Sequence, residues 1–479
     1  MAQDKFENFK KNMDASFSAF QKNINDEYES FRKKINDDYA TLLEKSWKEF
    51  NAYAKIEIPE NKIQPVPPVV YPKDGEQKIE PKPLPYNDVV TIPTPAPQPE
   101  PVVPIKETPK PTISQEVTYI FFGTQAIVHF DISQKVSITD INERSISQAW
   151  KAMSTDNYAN LIHDCLQIRK EKDLCDWAYL EMLKCMSEKV FGKGTNSSTL
   201  LMAYVYCQSG YKMRLAREGT GKLYMMYASD HIIYNKNYYT IDGVMFYPYG
   251  GSPNRVYICD ISFPQEKAMS LYIFNEQKFA PRVSQAKTRQ SQHYPEIQTT
   301  LTSNLNLMEF YNTYPTSMIG ENLVSRWAMY GNTPMSEHVK QQIYPSLRSA
   351  IQGSDQQTAV NKLLNYVQTG FVYEYDDKVW GHDRAFFAEE TLYYPYCDCE
   401  DRSILFSRLV RDLLGLDVIL VYYPGHLATA VCFNNPVKGD YIELNGRRFT
   451  ICDPTYIGAP IGMTMPDMDN KTAKVILLE

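Results

Sequence analysis

A proline-rich segment near the amino terminus limits what this chain can fold into. Residues 58–113 hold 16 of the chain's 30 prolines. Each proline fixes its own φ and lacks a backbone N–H, so such a segment favours an extended conformation and builds no core of its own. We therefore expect an extended linker between an N-terminal element and a globular remainder. The length of 479 residues predicts two to four units.

An eleven-residue repeat occupies residues 1–57, before the linker. Its first, fourth and eighth positions are mostly apolar: Phe6, Phe17, Tyr28, Tyr39 and Phe50; Phe9, Phe20, Phe31, Leu42 and Tyr53; and Met13, Ile24 and Ile35. This period, about 3.67 residues per turn, predicts a long and nearly straight helix. The narrow apolar stripe favours a coiled coil, and so self-association through residues 1–57. Docking on the chain's own globular part and lying on a membrane surface are the alternatives.

Charge and hydropathy exclude several classes of protein. The net charge is −7, and no long basic run or basic, aromatic-interleaved stripe occurs, which argues against nucleic-acid binding. No window of about eighteen apolar residues predicts a transmembrane helix. The first twenty residues are polar and amphipathic, unlike a signal peptide. The compartment stays open: a trimmed signal would place the protein in the cell envelope, the periplasm or the medium, and otherwise it is cytoplasmic.

Two cysteines stand one residue apart just before an apolar helical pattern that closes at Gly415. This arrangement of Cys397 and Cys399 predicts that Cys399 lies at a helix N-terminus. Backbone N–H groups and the helix dipole there favour a thiolate and can hold an oxyanion. Zinc would require wider spacing and a second ligand pair, and a Cys397–Cys399 disulfide would be strained. Reversible pairing of the two as a redox lock remains an alternative.

A histidine and an aspartate follow on predicted strands. "VYYPGHLATAVCF" places His426 at the start of one strand, and "GRRFTICDPTY" places Asp453 at the end of another. If these strands are neighbours, Cys399, His426 and Asp453 stand in the order nucleophile, base and orienter. The imidazole would take the thiol proton, and the carboxylate would hold the ring. A satisfied core histidine and an Asp-Pro strand end are the alternative interpretations.

These motifs together resemble the bacterial transglutaminase-like superfamily of papain-type cysteine enzymes. The resemblance covers residues 320–478 and includes the upstream stretch "YVQTGFVYEYDDKVWGHDRAFFAEETLYYPYCDCEDRS". It implies Cys399 as nucleophile, His426 as general base and Asp453 as orienter. The family usually has glycine two residues before the nucleophile, where this chain has Cys397.

Carboxylates surround the predicted nucleophile. Asp398, Glu400 and Asp401 flank Cys399, and together with Cys397 they are candidate modulators of the site. Similarity to calcium-dependent bacterial relatives suggests Ca²⁺ regulation. The alternative is that acidic residues in a first helical turn simply suit the helix dipole. Apart from this calcium, the sequence predicts no cofactor and no metal site.

The middle of the chain repeats the pattern. Ser198 precedes Gly210 by twelve residues, as Ser403 precedes Gly415, and Ile-Cys-Asp recurs at 258–260 and 451–453. This predicts a second, tandem transglutaminase-like module, in which His231 and Asp260 correspond to His426 and Asp453. The nucleophile position falls near Gly194, where no cysteine occurs, so the first module is predicted to be a pseudoenzyme. Coincidence is the alternative.

The sequence thus predicts an α+β protein with five segments: a repeat helix at 1–57, a linker at 58–113, a degenerate module with a leading β segment at 114–275, a connector at 276–319 and a catalytic module at 320–479. The predicted function is that of a cysteine protease or peptidase that acts on a protein or peptide substrate through a thioester. A non-catalytic scaffold and a crosslinking or deamidating transglutaminase are the alternatives.

Overall fold

The computed structural model describes residues 23–24, 26–45, 47–58, 69, 81–105, 115–320 and 322–479. These residues form a mixed α+β protein, which confirms the α+β part of the predicted fold class. None of the described helices combines the length and the apolar character that a membrane crossing requires. The predicted repeat positions before residue 23 lie outside the described residues.

The elements are numbered in chain order. The strands are β1 (Lys48–Asn51), β2 (Lys82–Pro83), β3 (Asp88–Val90), β4 (Glu116–Phe121), β5 (Thr124–His129), β6 (Met213–Glu218), β7 (Lys222–Ala228), β8 (His231–Ile233), β9 (Tyr239–Ile241), β10 (Val244–Pro248), β11 (Arg255–Ile258), β12 (Lys287–Gln290), β13 (Gln298–Leu301), β14 (Ser317–Ile319), β15 (Val372–Tyr373), β16 (Tyr396–Cys397), β17 (Val418–Tyr423), β18 (His426–Cys432), β19 (Asp440–Leu444), β20 (Arg447–Cys452) and β21 (Lys474–Leu477).

The α-helices are α1 (26–43), α2 (Glu143–Ala152), α3 (Asp156–Glu171), α4 (Asp176–Phe191), α5 (Asn196–Gln208), α6 (Leu305–Thr313), α7 (Arg326–Asn332), α8 (Glu337–Ile351), α9 (Gln356–Thr369), α10 (Asp376–Val379), α11 (Ala388–Tyr393) and α12 (Cys399–Leu414). Short 3-10 helices lie at Ile132–Gln134, Leu323–Ser325 and Asn470–Thr472.

The chain divides into two compact units, each made of several segments. The first takes the described parts of Met1–Lys55, Pro97–Ser229 and Lys236–Met269. The second takes the described parts of Ile56–Ala96, Asp230–Asn235 and Ser270–Glu479. These limits differ from the predicted ones because segments distant in sequence pair with each other. The predicted connector at 276–319, for example, contains β12, β13, α6 and β14 and belongs to the second unit.

The first unit is built on a six-stranded antiparallel sheet with the order β1-β11-β6-β7-β10-β9. Apolar side chains from the strands β6, β7, β9, β10 and β11 form a buried cluster. α5 packs on β6 and β7, and α4 packs on α5. The β4–β5 hairpin adds alternating side chains, of which Val117, Tyr119 and Phe121 are buried and their neighbours exposed, as expected of a half-buried strand.

The predicted repeat helix is corrected. α1 ends at residue 43, and residues 48–51 form β1, which pairs with β11. Tyr39 and Leu43 are buried in the first unit, and Asn36 exchanges hydrogen bonds with Gln208. The helix therefore docks on its own chain over this half, since these contacts bury Asn36, Tyr39 and Leu43 in the first unit. Phe31 remains 53% exposed.

The second unit is built on a seven-stranded sheet with the order β2-β19-β20-β18-β17-β21-β3. The central strands β17 and β18 are buried along almost their whole length, which explains why they read as apolar runs without alternation. One cluster of buried side chains includes Ile419, Val421 and Ala430. α12 packs on β17 and β18 and also contacts α7, α9 and α11. The helix that begins at Cys399 is thus held on several sides.

The described part of the proline-rich segment is not a free linker. β2 and β3 add parallel edge strands to the sheet of the second unit, and Leu84 and Val90 are buried there. Further along, Gln98 Nε2 donates to Leu174 O and to Asp176 Oδ1, both at 3.0 Å, within the first unit. Proline is tolerated at edge strands because one side of the strand needs no ladder donor. The segment's polar groups therefore find partners without a core of their own.

The two units share one sheet topology. In each unit a helix, α5 or α12, leads into five antiparallel strands. The lateral order β11-β6-β7-β10-β9 in the first unit matches β21-β17-β18-β20-β19 in the second. In each, an upstream segment adds a strand beside β11 or β21. β8 has no counterpart in this series and pairs with β14 in the second unit.

Candidate functional site

Cys399 is the first residue of α12. Asp398 precedes it in extended conformation, and the Asp398 backbone N–H donates to Asp401 Oδ2 at 3.2 Å, which defines the helix start. Gly415 ends the helix with a φ of 62°, a left-handed conformation that favours glycine. The apolar residues between them are buried, so the predicted helical pattern is present with these limits.

His426 is the first residue of β18 and lies opposite Tyr423 on β17. The two-residue loop Pro424-Gly425 connects the strands, and the φ of 85° at Gly425 explains the glycine. The Tyr423 and His426 rings lie nearly parallel, with centroids 6.3 Å apart. This tight hairpin orients the imidazole on a buried strand.

Asp453 follows β20, and β20 pairs with β18 so that Cys452 lies opposite Thr429. Asp453 Oδ2 lies 2.8 Å from His426 Nε2, and both side chains are almost fully buried. Asp453 Oδ1 accepts the backbone N–H of Thr455 at 2.9 Å, which holds the carboxylate within its own turn. The structure therefore brings His426 and Asp453 together across the sheet.

The start of α12 lies against β18. The backbone N–H of Leu427 acts to lower the pKa of Cys399, and Ser403 Oγ donates to Leu427 O at 2.8 Å. His426 Nδ1 is buried and has no hydrogen-bond partner among the described residues.

The thiol of Cys399 is turned toward a carboxylate. Its Sγ donates to Glu400 Oε2 at 3.1 Å. Burial, followed by the charges of Glu400 and Asp398, raises the pKa of Cys399 well above its usual value. Desolvation and the neighbouring carboxylates outweigh the Leu427 N–H in their effect on the pKa of Cys399, and the activated thiolate stays a prediction.

A dense group of carboxylates adjoins the thiol. Oxygens of Asp376, Asp398 and Asp401 lie within 4.8 Å of one another, and Asp376 and Glu400 form a second such group with Asp383. Asp398 Oδ1 is buried without a hydrogen-bond partner in the described chain. Burial and like charges raise the pKa of Asp376 to about 8 and those of Asp398 and Asp401 well above the usual range.

One cation faces this acidic group directly. Arg326 is buried and pairs with Asp383. The charge of Glu400 also acts on the Arg326 guanidinium, whose pKa is raised above its already high value by these carboxylates despite burial. One buried arginine does not offset the crowding of these carboxyl groups, in agreement with the raised pKa values of Asp376, Asp398 and Asp401.

Cys397 occupies a different environment from Cys399. It ends β16, opposite Tyr373 on β15, and its Sγ donates to Val372 O at 3.8 Å. Burial raises the pKa of Cys397. All nine cysteines of the chain are free thiols.

The predicted pseudo-site of the first module is not assembled. His231 lies on β8, which pairs with β14 in the second unit, and burial lowers the pKa of His231 to about 4. Asp260 follows β11 in the first unit and pairs with Lys48. The two residues therefore stand on different sheets. The prediction is wrong because it compared only the spacing between His and Asp along the sequence. The strand that carries His231, β8, has no counterpart in the topology that the two units share.

The shared topology identifies the true counterparts. Asn196 is the first residue of α5, as Cys399 is of α12, and Asn196 Oδ1 accepts the Leu223 N–H at 2.9 Å. Leu223 is the second residue of β7, as Leu427 is of β18. Lys222 then stands where His426 stands. At these two positions the first unit has an amide and an amine, where the second has a thiol and an imidazole.

Sequence reasoning missed several residues of this region. Asp376 and Asp383 lie in the stretch that carried the family resemblance, in "EYDD" and "GHD", yet nothing local links them to Glu400. Gln368, at the end of α9, contacts the Asp453 turn across 85 residues of sequence. Only proximity in the fold reveals such partners.

Comparison of the chain with models of known protein families, with curated proteins and with solved structures gives no match.

Proposed function

We propose that the protein is a cysteine hydrolase of the transglutaminase-like type that cleaves a peptide or isopeptide bond. The observation that carries the proposal is the buried contact of 2.8 Å between His426 Nε2 and Asp453 Oδ2, with the other ring nitrogen free beside the strand residue that contacts Cys399. A carboxylate on one nitrogen leaves the opposite nitrogen as the base, which is what a thiol nucleophile requires.

The proposed reaction has two steps. His426 Nδ1 takes the Cys399 proton while Sγ attacks the substrate carbonyl carbon, and the leaving amine departs with the proton from His426, which leaves a thioester. Water then attacks the thioester, gives its proton to His426 and releases the carboxylic acid, and the thiol regains its proton. Backbone N–H groups at the start of α12 can hold the oxyanion in both steps.

We also propose that a hard cation such as Ca²⁺ binds the carboxylates beside the thiol. The fit rests on oxygen donors alone, on the unpartnered Asp398 Oδ1 and on the surplus of carboxyl groups over cations. Asp376, Asp398 and Asp401 would hold it. When bound, the cation supplies positive charge that offsets the carboxylates which keep Cys399 protonated.

We further propose that the two units are copies of one transglutaminase-like module. The identical lateral order of five strands after α5 and α12 supports this, as does the equivalence of Asn196 and Cys399. In this proposal the first unit is a non-catalytic copy and contributes binding or support.

A non-catalytic scaffold is the second candidate function. The observation in its favour is the neutral, buried thiol of Cys399, bonded to Glu400. A hydrolase remains the better proposal because a scaffold has no need of a buried His426–Asp453 contact with a free Nδ1. Transfer to an amine instead of water, as in crosslinking, or hydrolysis of a side-chain amide, as in deamidation, would use the same residues and differ only in the acceptor or the acyl group.

Profiling of the full chain against a peptide library, with and without Ca²⁺, tests the hydrolase proposal. We expect cleavage by the native chain and by Cys397→Ala, and none by Cys399→Ala. A thiol-directed acyl probe should label the native chain at Cys399. Cleavage that survives in Cys399→Ala, or the absence of cleavage and of Cys399 labelling under both conditions, would leave the scaffold as the better description.

A further inference from the structure

The side chain of Gln368 is buried in the turn that carries Asp453. Gln368 is the penultimate residue of α9 and is 1% exposed. Its Nε2 donates to three backbone carbonyls of one turn: Asp453 O at 3.0 Å, Tyr456 O at 2.8 Å and Ala459 O at 3.0 Å. One side-chain amide therefore forms hydrogen bonds with the first, fourth and last residues of the segment 453–459.

The amide oxygen completes the arrangement. Gln368 Oε1 accepts the backbone N–H of Gly458 at 3.2 Å. The turn thus presents three acceptors and one donor, and glutamine is the side chain of this length that offers donors and an acceptor together. A carboxylate here would face three carbonyl oxygens, and an apolar side chain would leave all four backbone groups buried without this partner.

The shape of this turn sets the direction of the Asp453 carboxylate. Asp453 Oδ1 accepts the Thr455 N–H at 2.9 Å and the Tyr456 N–H at 3.3 Å, which leaves Oδ2 for His426. Because the two amides belong to the turn that Gln368 holds, a change in the turn rotates or withdraws Oδ2. Gln368 therefore acts on the Asp453 carboxylate through the backbone of the turn.

Arg402 extends the same connection to the nucleophile helix. It lies three residues after Cys399, is fully buried, and donates from Nη1 to Gln368 O at 3.1 Å and to Pro454 O at 3.4 Å. Its Nη2 donates to Phe371 O at 2.9 Å. The helix that carries Cys399 and the turn that carries Asp453 are therefore both anchored at the end of α9.

We infer that Gln368 is the positioning residue of the His426–Asp453 pair, fixing the 453–459 turn so that Asp453 Oδ2 meets His426 Nε2. The inference rests on the proposed function, since it assigns Gln368 a part in that chemistry. A glutamine that merely stabilised the fold would affect melting but leave the proton chemistry at Cys399 as it is.

The pH profile of Cys399 alkylation in the full chain tests this. Iodoacetamide is the probe, and the Cys399 peptide is quantified by mass spectrometry between pH 5.5 and 9.5. The variants are Gln368→Leu and the nearly isosteric Gln368→Met. Gln342→Leu is the matched control, because Gln342 also donates to two backbone carbonyls in the second unit, those of Thr302 and His338. Each variant is measured well below its own melting temperature.

We expect both Gln368 variants to lower the alkylation rate near neutral pH by about ten- to a hundredfold, the scale typical of small misplacements at reactive sites. Their profiles should match that of Asp453→Asn, while Gln342→Leu keeps the native profile. If Asp453→Asn and His426→Ala change the profile and the folded Gln368→Met does not, the inference is overturned and the proposed function stands. If Asp453→Asn and His426→Ala leave the native profile unchanged, the proposed function itself fails.

Discussion

Asn196 and Cys399 occupy the same place in the two units of this protein. Each begins a helix, and in each unit the second residue of a following hairpin strand acts on that side chain. The Leu223 N–H donates to Asn196 Oδ1 at 2.9 Å in the first unit, and the Leu427 N–H acts to lower the pKa of Cys399 in the second. In the first unit this side chain is an amide with two hydrogen bonds, since Asn196 Nδ2 also donates to Gly221 O at 3.1 Å. In the other it is a thiol. The same position in the fold thus holds a structural hydrogen-bonding residue, Asn196, in one unit and a potential nucleophile, Cys399, in the other.

Asn196→Ala should destabilise the first unit without touching the second. The change removes two hydrogen bonds at a half-buried position, so we expect a loss of about 1–2 kcal/mol. Urea denaturation followed by far-UV circular dichroism measures it, and Cys399 alkylation should keep its native rate. Asn196→Cys should create a thiol that alkylates no faster than an ordinary cysteine, because Lys222 stands where His426 does.

Removing the Glu400 charge should make the Cys399 thiol more reactive. Glu400→Gln eliminates the largest charge that raises the pKa of Cys399, so that pKa should fall and the alkylation rate at pH 7 should rise. A fall of one pKa unit corresponds to about a tenfold increase in thiolate. Glu389→Gln is the control, since this buried carboxyl bonds to Ser336. A rate equal to the native one would mean that burial alone keeps Cys399 protonated.

Stability should fall as the pH rises from about 5 to about 8. Burial raises the pKa of Asp376 to about 8 and those of Glu389 and Glu390 to about 7. In the unfolded chain these groups ionise near their ordinary values of about 4. The unfolded state therefore releases protons first, and the native state loses relative stability until the pH passes the raised values, above which the loss is complete.

Differential scanning calorimetry between pH 5 and pH 9 measures this loss. The melting temperature of the second unit should decrease over that range, and Asp376→Asn should flatten the decrease. At pH 8, Ca²⁺ should raise the melting temperature relative to chelator, because it binds the ionised carboxylates of the native state. A melting temperature that rises steadily with pH contradicts the raised pKa values of these carboxyl groups. An equal melting temperature with and without Ca²⁺ contradicts the cation proposal.

Asn36→Ala should destabilise the first unit strongly. Asn36 Oδ1 accepts from Trp150 Nε1 at 2.9 Å and from Gln208 Nε2 at 2.8 Å, and all three groups are buried. Truncation leaves these partners unsatisfied, with a cost of about 2–4 kcal/mol by urea denaturation. The exposed neighbour Phe31, changed to Ser, should leave stability within about 0.5 kcal/mol.

Light scattering on the same two variants tests self-association. We propose that any pairing of chains uses the exposed side of α1 that holds Phe31, because Asn36 and Tyr39 are already buried in the first unit. Phe31→Ser should then lower the mass of any oligomer. An oligomer unaffected by Phe31→Ser, or a monomeric native chain, would remove this role for α1.

Local signals in the sequence were sufficient for several elements of the second unit. The apolar spacing after Cys399, the closing Gly415 and the Pro424-Gly425 hairpin are encoded within about twenty residues, and the structure has each of them. Such signals are short-range, because helix caps and tight turns are satisfied by neighbours in the chain. The contact between His426 and Asp453 could also be predicted from the sequence. His426 begins a strand and Asp453 follows the end of another, and two antiparallel neighbours place such residues at the same end of the sheet.

Only the tertiary structure decided the rest. The proline-rich segment reads as a linker, yet β2 and β3 lie at the edges of a sheet whose partners are hundreds of residues away. His231 matched His426 in spacing, but strand pairing places it with β14. The protonation of Cys399 likewise depends on burial and on carboxylates gathered from separate segments. Periodicity and caps are properties of a few adjacent residues, whereas strand partners, desolvation and charge crowding arise only when distant segments come together.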